Sequence, residues 1–512
     1  MFASCHAPSL AVGAPASLPK CLRGLLLVSS LAVAAACSPA PSVSQGGNGD
    51  VTVYEGARLI TGDGTLIEDS AFIVEKTLFT QVGRRGEVRA PAGASRVDLT
   101  GKTVMPTKVD LHGHIGFQHV YDGTMSKAYY TRENLIDHLE RLAYFGISAV
   151  VSVADLVDRS DLKGGRTGWG DVPLRVRDEI IPGAALFKTA GPGIAWPDSG
   201  AQGHPSRADV PYPVTTVAEA REATADYITI KPEFIKIWVD DRGGTRKRLT
   251  PELYRAIAEE AKKDRIQVAA HNITLADAKE LMRLGVAGWL HPPVRGGEEP
   301  DEELLAMIRD RKARGDNGMW FNDSGGVAVG GLEAWNDPLL RETISDAQVQ
   351  QHHGELLKGL TPEAVERARA NARKQGAIAK KLIDAGMKLV LGSDTGQTRF
   401  FIGWYAQLYF ESWVAMGFTP MEAITFATRD GADIAKVNTG LVAAGRNADF
   451  VVLDSNPLDD IANSRRISRV FLRGAEVDRP RLRTRWQADT TDRTQQRSSA
   501  SNRPAGPSVA GR

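Results

Sequence analysis

Two histidines two residues apart, His112 and His114, form the spacing that first indicates chemistry. They close the stretch Val104–Ile115, VMPTKVDLHGHI, in which Val109 and Leu111 are apolar. In an extended strand alternate side chains point the same way, so both imidazoles would leave one face together. Two neutral imidazoles directed at one point are suited to zinc or a similar ion. Alone the pair is weak evidence, because two unrelated histidines would look the same.

Further candidates occur in short apolar runs typical of strands. Lys236 lies inside FIKIWVDD, and three more residues follow VAA, GWL and LGS, namely His271, His291 and Asp394. Four of the ten histidines therefore occupy predicted strand ends. Catalytic groups of parallel α/β barrels gather at the C-terminal ends of strands. We therefore predict that these six side chains meet at one mouth of a barrel.

Each of these residues also has a purely structural interpretation. His271 or His291 alone would be a hydrogen-bonded core histidine, and Asp394 would cap the turn that follows it. The coincidence of all six at strand ends favours the functional interpretation.

Lys236 is the least expected of the set, because Phe, Ile and Trp surround it in the sequence. Burial lowers the pKa of an ammonium group. A neutral amine can react with CO₂ to give a carbamate, a carboxylate able to bridge two cations about 3.5–4 Å apart. The alternative is a lysine that reaches solvent or pairs with Asp240 or Asp241.

The elements that must position these residues alternate between strand and helix from Pro106 to about Lys436, which is typical of βα units. The strand candidates are KVDLH, SAVVSVAD, AALFKTA, FIKIWVD, IQVAAH, VAGWLH, GMWFN and KLVLGSD. Eight is the strand count of a (β/α)₈ TIM barrel. Thr-Pro pairs at Thr250, Thr361 and Thr419 predict helix starts, and Glu422 is placed to complete a capping box with Thr419.

Short β-rich runs flank this region. One set lies between Val51 and Thr103, and a second comprises Ala448–Asp454 and Ser468–Asp478. We predict that residues 51–105 and 437–485 form one small composite β-sandwich domain beside a barrel of residues 106–436. Two separate hairpins are the alternative.

The N-terminus has the pattern of an export signal. Lys20 and Arg23 precede the apolar run GLLLVSSLAVAAA, which ends at Cys37. The run is shorter than the roughly 20 residues that span a bilayer, so residues 1–37 are predicted to be a secretory signal. LAVAAAC resembles the lipobox of bacterial lipoproteins, which predicts a periplasmic or cell-envelope lipoprotein anchored through lipidated Cys37. An ordinary signal with an incidental cysteine is the alternative.

Composition limits the remaining choices. The polar segments 38–50 and 486–512 are predicted to be a flexible linker and a disordered tail. The net charge of +1 gives no indication of nucleic-acid binding. All three cysteines lie within the first 37 residues, so any metal in the rest of the chain must have nitrogen and oxygen ligands.

Together these motifs resemble the amidohydrolase superfamily, and within it the imidazolonepropionase-like and prolidase-like group with a lysine on the fourth strand. The matching segments span Val51 to about Asp478: VMPTKVDLHGH, EFIKIWVDD, VAAHN, GVAGWLHP, LGSDTG, TPMEAITFATRDGADIA and ADFVVLDSNPLDDI. Imidazolonepropionases themselves belong to a mononuclear, lysine-free branch, so the group does not imply their reaction.

The resemblance implies a ligand set for two divalent metal ions, most simply zinc. His112, His114 and Asp394 would hold one metal. His271 and His291 would hold the second, and carbamylated Lys236 would bridge the two.

Three dipeptides depart from the family pattern, and none of them removes a ligand. Thr107-Lys108 stands where a glycine and an apolar residue are usual, at the barrel end opposite the metals. Lys76-Thr77 and Ala443-Ala444 affect turns of the β domain.

The implied reaction is hydrolysis of an amide bond in a small molecule, such as an Xaa-Pro dipeptide or an N-acyl amino acid. Two divalent ions lower the pKa of a shared water and so supply hydroxide, and Asp394 would carry its proton to the leaving group. Ester, lactone or phosphotriester hydrolysis at the same site is one alternative. A non-catalytic ligand-binding lipoprotein is another.

Substrate contacts are expected from the loops. His204 follows the third strand, and Arg399 and Tyr405 follow the eighth. Arg207 or Arg399 could pair with a substrate carboxylate. The aromatic stripe around Tyr405 could line an apolar pocket, but helix packing is the favoured interpretation. A small-molecule substrate is the expected partner, and a homo-oligomer is left open.

Overall fold

The computed structural model describes residues 51–121, 123–158, 170–177, 179–200, 206–295, 297–323, 328–397 and 401–488. All of them fall in one compact unit. The predicted signal peptide with Cys37, the linker and the candidates His204 and Arg399 lie outside the described residues.

Seven strands precede the central part of the chain. β1 to β7 are Val51–Glu55, Arg58–Ile60, Leu66–Ile67, Ser70–Glu75, Leu78–Arg84, Ser95–Asp98 and Thr103–Pro106. Four of them form a sheet in the order β5-β4-β1-β6.

Ten strands follow in the middle of the chain. β8 to β17 are Lys108–Gly113, Ile147–Ser152, Leu186–Thr189, Ile194–Ala195, Tyr212–Pro213, Ile235–Val239, Val268–Asn272, Gly288–Trp289, Trp320–Phe321 and Lys388–Leu389. Each of the eight predicted strands is among them, and β11 and β12 are an additional short pair. All neighbours are parallel, in the orders β10-β9-β8 and β12-β11-β13-β14-β15-β16-β17.

Backbone hydrogen bonds join the two parallel sheets at both edges. Leu111 donates to the carbonyl of Leu391 at 2.9 Å, and Asp394 donates to that of His112 at 2.7 Å, beyond the end of β17. At the other edge Glu233 donates to Thr189 at 3.1 Å. An α/β arrangement of eight parallel strands linked in this way is consistent with a TIM barrel.

The α-helices that precede residue 479 begin with a helix after β8 and end with one before β18. α1 to α13 are Arg132–Tyr144, Val172–Arg177, Val217–Thr229, Pro251–Lys263, Leu275–Arg283, Glu302–Ala313, Gly331–Trp335, Pro338–Arg341, Asp346–Gly359, Pro362–Ala385, Trp404–Ala415, Pro420–Thr425 and Gly431–Ala435. The predicted starts of α4, α10 and α12 are confirmed, each with proline in its first turn. The capping box between Thr419 and Glu422 is also present, so two orphan backbone donors are satisfied.

Three strands close the described fold: β18 to β20 are Phe450–Leu453, Ile467–Leu472 and Ala475–Glu476. They join strands from the other end of the chain in a sheet of order β20-β19-β18-β7-β2-β3. Phe450 stacks on Phe471 with ring centroids 4.4 Å apart, and Tyr54 of the four-stranded sheet meets Phe450 at 5.2 Å. One aromatic core therefore lies between the two sheets, as in a β-sandwich.

The disordered tail was predicted to begin at residue 486, which is too early. Residues 479–488 are helical, and Trp486 is buried. Its Nε1 donates to Asp137 at 2.7 Å, and its ring lies 4.3 Å from the guanidinium carbon of Arg141. Because the C-terminal segment is polar in composition, Trp486 was not predicted to be a buried residue. Among the helices that the structure describes, none is both long and apolar enough to cross a membrane.

Candidate active site

The two histidines of the opening motif lie at the end of β8 with their rings side by side. His112 and His114 are almost fully buried, and their ring centroids are 5.1 Å apart. The strand alternation that was predicted from the sequence explains this arrangement, because residues two apart share a face.

Asp394 lies against this pair although 280 residues separate them in sequence. Its Oδ1 is 3.0 Å from Nε2 of His114 and 3.5 Å from Nε2 of His112. The nitrogen and oxygen atoms of these three buried side chains lie within 4.8 Å of one another. The hydrogen bond from the Asp394 amide to the His112 carbonyl fixes this approach.

The other two histidines extend the cluster into a row. His291 lies 5.1 Å from His112 and 4.8 Å from His271, measured between ring centroids. The row thus runs from His114 through His112 and His291 to His271. The structure therefore brings together all four histidines that the sequence singled out.

Two of these residues have unfavourable backbone conformations. The φ angle is +98° at His291 and +56° at Asp394. Such values cost free energy in residues other than glycine and persist where the surrounding structure enforces them, often at functional sites.

Lys236 points its amine into buried surroundings. It is 1% exposed, and its Nζ has no hydrogen-bond partner among the described residues. Burial holds the pKa of Lys236 well below its usual range, with Asp394 opposing the shift. The predicted alternative, pairing with Asp240, does not occur, because that carboxylate contacts His271 and Arg242 instead.

The protonation of the cluster suits a cation. Nδ1 of His114 is 2.9 Å from the carbonyl oxygen of Val153, which can only accept. This hydrogen bond places the proton on Nδ1 and leaves a lone pair on Nε2. That lone pair faces Oδ1 of Asp394 at 3.0 Å, so two acceptors converge where a positive charge is required.

The pKa shifts agree with this assignment. Burial, assisted by the charge of Arg207, lowers the pKa of His114 to about 4. Burial also holds the pKa values of His112, His271 and His291 well below the usual range. Burial would raise the pKa of Asp394, but the neighbouring His112 and His114 hold it well below its usual value. Neutral imidazoles and an ionised carboxylate are the forms that bind metals.

Asp110 was missed by the sequence analysis. It is fully buried in β8 and accepts hydrogen bonds from the backbone amides of His112, at 3.1 Å, and Ser393, at 3.0 Å. Because these amides belong to the candidate ligand His112 and to the neighbour of Asp394, Asp110 fixes the end of β8 and the segment after β17 relative to each other. The sequence did contain a signal for Asp110. It is an acidic residue inside the run VDLHGH, two residues before a candidate ligand.

A second missed group surrounds His271. Nε2 of His271 lies 2.9 Å from Oδ2 of Asp240 and 2.7 Å from Nη2 of Arg295. Arg242 pairs with the same Asp240 oxygen at 2.8 Å. With Nε2 engaged in this way, Nδ1 is the nitrogen of His271 that remains for a metal.

The predicted substrate contacts are less well supported. His204 and Arg399 lie outside the described residues. Tyr405 is buried in α11, with its ring 5.9 Å from that of Trp335 and 6.2 Å from that of His353. These contacts favour the helix-packing interpretation of Tyr405.

Comparison with known proteins agrees with this geometry. Residues 199–477 match the amidohydrolase family. Imidazolonepropionase from Streptomyces avermitilis is 24% identical over 399 residues, which are 76% of this chain and 82% of the relative. Imidazolonepropionase from Streptomyces coelicolor is also 24% identical, over 78% of this chain and 91% of that relative.

Solved structures show the same fold. A putative prolidase from Bifidobacterium longum superposes with a TM-score of 0.60 at 24% identity, covering 86% of this chain and 99% of the prolidase. An Xaa-Pro dipeptidase with bound methionine also has a TM-score of 0.60, at 19% identity over 83% of this chain and 99% of the dipeptidase. The predicted family is confirmed: the chain belongs to the amidohydrolase family, whose model matches more than half of it.

Proposed function

We propose that this chain is a binuclear metal-dependent hydrolase that cleaves an amide bond in a small molecule. The observation that carries the proposal is the convergence of a His114 lone pair and an ionised Asp394 oxygen at 3.0 Å, beside three more neutral histidines. Two acceptors held this close in a buried site repel each other without a cation. The finer architecture is proposed with it, a (β/α)₈ barrel carrying a composite β-sandwich domain.

The ligands are assigned by their place in the row of rings. His112, His114 and Asp394 would hold one divalent ion, most simply zinc. His271 and His291 would hold the other. The chemistry that two such ions supply when bound is polarisation of the scissile carbonyl and a water acidic enough to attack near neutral pH.

Lys236 fits the position between the two halves of the site. A charge on Lys236 would lower the pKa of His112, His271 and His291, so the side chain lies near both sets of candidate ligands. With its depressed pKa the amine is neutral, and its lone pair can attack the carbon of CO₂. A nitrogen–carbon bond forms, one proton is released, and the product is a carboxylate suited to two cations.

Asp394 is the residue best placed to move a proton. Its carboxylate is ionised and borders the two histidines of the first metal position. It can therefore accept a proton from the attacking water and return it to the leaving nitrogen.

The names of related proteins support an amide substrate. Structural neighbours include an Xaa-Pro dipeptidase, a putative prolidase and molinate hydrolase, and each of these names refers to a hydrolase. A dipeptide or an N-acyl amino acid is therefore the favoured substrate class. Hydrolysis of an ester, lactone or phosphotriester uses the same ligands and is the alternative reaction.

Metal analysis with a substrate panel tests the proposal. We expect about two zinc ions per full-length chain, turnover of N-acyl amino acids or dipeptides, and loss of both after chelation. H114Q should lose metal, whereas H138Q is the matched control. Both ring nitrogens of His138 are hydrogen-bonded to backbone groups, at 3.0 Å each.

Each contrary result has a defined meaning. Turnover of esters alone would replace the amide hydrolase with the ester alternative. Two metals without turnover of any substrate would favour the ligand-binding protein. Turnover that survives complete removal of metal would refute the binuclear site.

We propose in addition that the protein acts in the periplasm or cell envelope, anchored through a lipidated Cys37. The basis is the pattern of Lys20, Arg23 and the apolar run before Cys37. Labelling with a fatty-acid analogue in a bacterial host would test it, because C37S should abolish the label.

A further inference from the structure

Arg207 is a buried guanidinium that the proposed reaction does not use. Its side chain is fully shielded from solvent. Nη2 donates to Oε1 of Gln397 at 2.8 Å, whereas Nε and Nη1 have no hydrogen-bond partner among the described residues. Buried donors without partners are costly and require an explanation.

A single side chain, that of Gln397, connects the guanidinium of Arg207 to Asp394. Gln397, which accepts from Arg207, donates through Nε2 to Oδ1 of Asp394 at 2.8 Å. The backbone of Gln397 is held in turn by Gln118, whose Nε2 donates to its carbonyl at 2.8 Å. The charge of Arg207 is also felt at His114, where it helps to lower the pKa.

No carboxylate among the described residues neutralises this charge by direct contact. Asp394 and Asp155 lie close enough to favour the charged form, but burial dominates and lowers the pKa of Arg207 to about 10. The guanidinium carbon of Arg207 lies over an aromatic ring, 5.7 Å from the centroid of Phe117. A charged group with free donors, no anion in direct contact and an apolar neighbour is arranged to receive an anion.

Arg141 shows what a structural buried arginine looks like in the same protein. It is 2% exposed, pairs with Asp137 at 2.8 Å and donates to the carbonyl of Thr343 at 3.0 Å. Its charge is therefore neutralised within the protein. Each arginine keeps buried donors without a partner, Nη2 in Arg141 and both Nε and Nη1 in Arg207. The difference is that Arg207 has only a neutral amide where Arg141 has a carboxylate.

We propose that Arg207 binds a carboxylate of the substrate, close to the amide bond that is cleaved. This inference rests on the proposed hydrolase function and narrows its substrate to amides that carry a carboxylate near the scissile bond, as N-acyl amino acids and dipeptides do. Charge-assisted hydrogen bonds from a desolvated guanidinium are strong, and they form only with an anionic group. Neutral amides and ureas would leave both donors without a partner and are therefore poor substrates.

A pair of matched substrates tests this role. N-acetyl-L-methionine and N-acetyl-L-methioninamide differ only in the replacement of the carboxylate by a carboxamide. With the zinc-loaded full chain, kcat/KM should be higher for the acid. In R207Q the ratio of the two kcat/KM values should fall by about 30-fold or more, because a buried charge pair is lost. R207K keeps the charge and should recover part of the ratio.

R141Q is the matched control, since it also removes a buried arginine. It should lower the melting temperature and leave the acid-to-amide ratio at the wild-type value. If R207Q slows both substrates equally, Arg207 only positions Gln397 and Asp394, and the inference is overturned.

Absence of turnover would refute the proposed hydrolase but not this inference. In that case the same two compounds serve as ligands in isothermal titration calorimetry. The acid should then bind the wild type more tightly than the amide, and R207Q should lose this difference. Equal binding of the two compounds by the wild type would overturn the carboxylate site.

Discussion

Two buried lysines lie in the parallel strands of this molecule, one beside the cluster of histidines and one away from it. Lys236 lies in β13 beside the cluster of histidines, and Lys108 is the first residue of β8, the strand whose other end carries His112 and His114. Burial lowers the pKa of both amines. A comparison of the two lysines therefore separates the effect of burial on the amine from the effect of the neighbouring side chains.

The surroundings of Lys108 are neutral. Its Nζ donates to Oε1 of Gln407 at 3.4 Å and lies 5.5 Å from the ring centroid of Phe410. Burial lowers its pKa to about 7. Near neutral pH this amine is therefore partly uncharged, but no side chain around it that the structure describes is a typical metal ligand.

The surroundings of Lys236 are chemically different. The charges of Asp394, Arg295 and Arg242 act on its amine, and it in turn acts on the histidines of the row. Desolvation makes a lysine nucleophilic in both places. Of these two lysines, only Lys236 lies near candidate metal ligands, so only its nucleophilic amine is placed to take part in the proposed catalysis.

The largest effect on turnover is expected from substitution of Asp394, the acidic residue near Lys236. D394N keeps the shape of the side chain but cannot accept a proton, so turnover should fall by about 10³-fold or more. The metal content should persist, because the amide oxygen and the histidines still coordinate. Steady-state kinetics with metal analysis of the same sample checks both statements. Unchanged turnover would remove Asp394 from its assigned role.

The second prediction compares the lysines directly. K236M should lose about one metal per chain and roughly 10²-fold in turnover, because a metal contributes several kcal/mol to catalysis. K108M should keep both metals and the wild-type turnover. Incorporation of ¹³C-labelled CO₂, followed by NMR, should show a carbamate in wild type and K108M only.

Chemical rescue sharpens this result. A short carboxylate such as formate can replace the carbamate in K236A and should restore part of the metal content and turnover. If K108M also loses metal, the two ends of the strands are coupled and the comparison fails.

The residues that cluster at the candidate metal site could be predicted because most are distinctive residue types at the end of a recognisable strand. His271 follows VAA and Asp394 follows LGS, so local pattern gave the position, and the parallel arrangement of the strands gave the meeting point. The helix starts at Pro251, Pro362 and Pro420 were predictable for the same reason, since caps are local.

The supporting groups could not be read in this way. Gln397 joins Arg207 to Asp394 across 190 residues, and Asp240 acts on His271 from the preceding strand. Such contacts depend on loop conformation, which no periodicity specifies. Trp486 was assigned to the tail because its neighbours are polar, although its own packing decides its position.

The smallest effect concerns stability and involves Lys108 alone. Between pH 7 and its ordinary value near 10.5, the unfolded chain holds a proton on Lys108 that the folded chain does not. Folding stability therefore rises with pH across this window, by at most about 1.4 kcal/mol per pH unit, and the cost of the buried charge is complete below pH 7. K108M has no such proton, so it should be more stable than wild type at pH 6.5, and the difference should shrink as the pH increases. Urea unfolding between pH 6.5 and 9.5 measures this, with K380M as the control because Lys380 is exposed. A difference between K108M and wild type that stays constant over that range would mean that Lys108 remains charged in the fold, and burial alone would then not account for a neutral amine at Lys236 either.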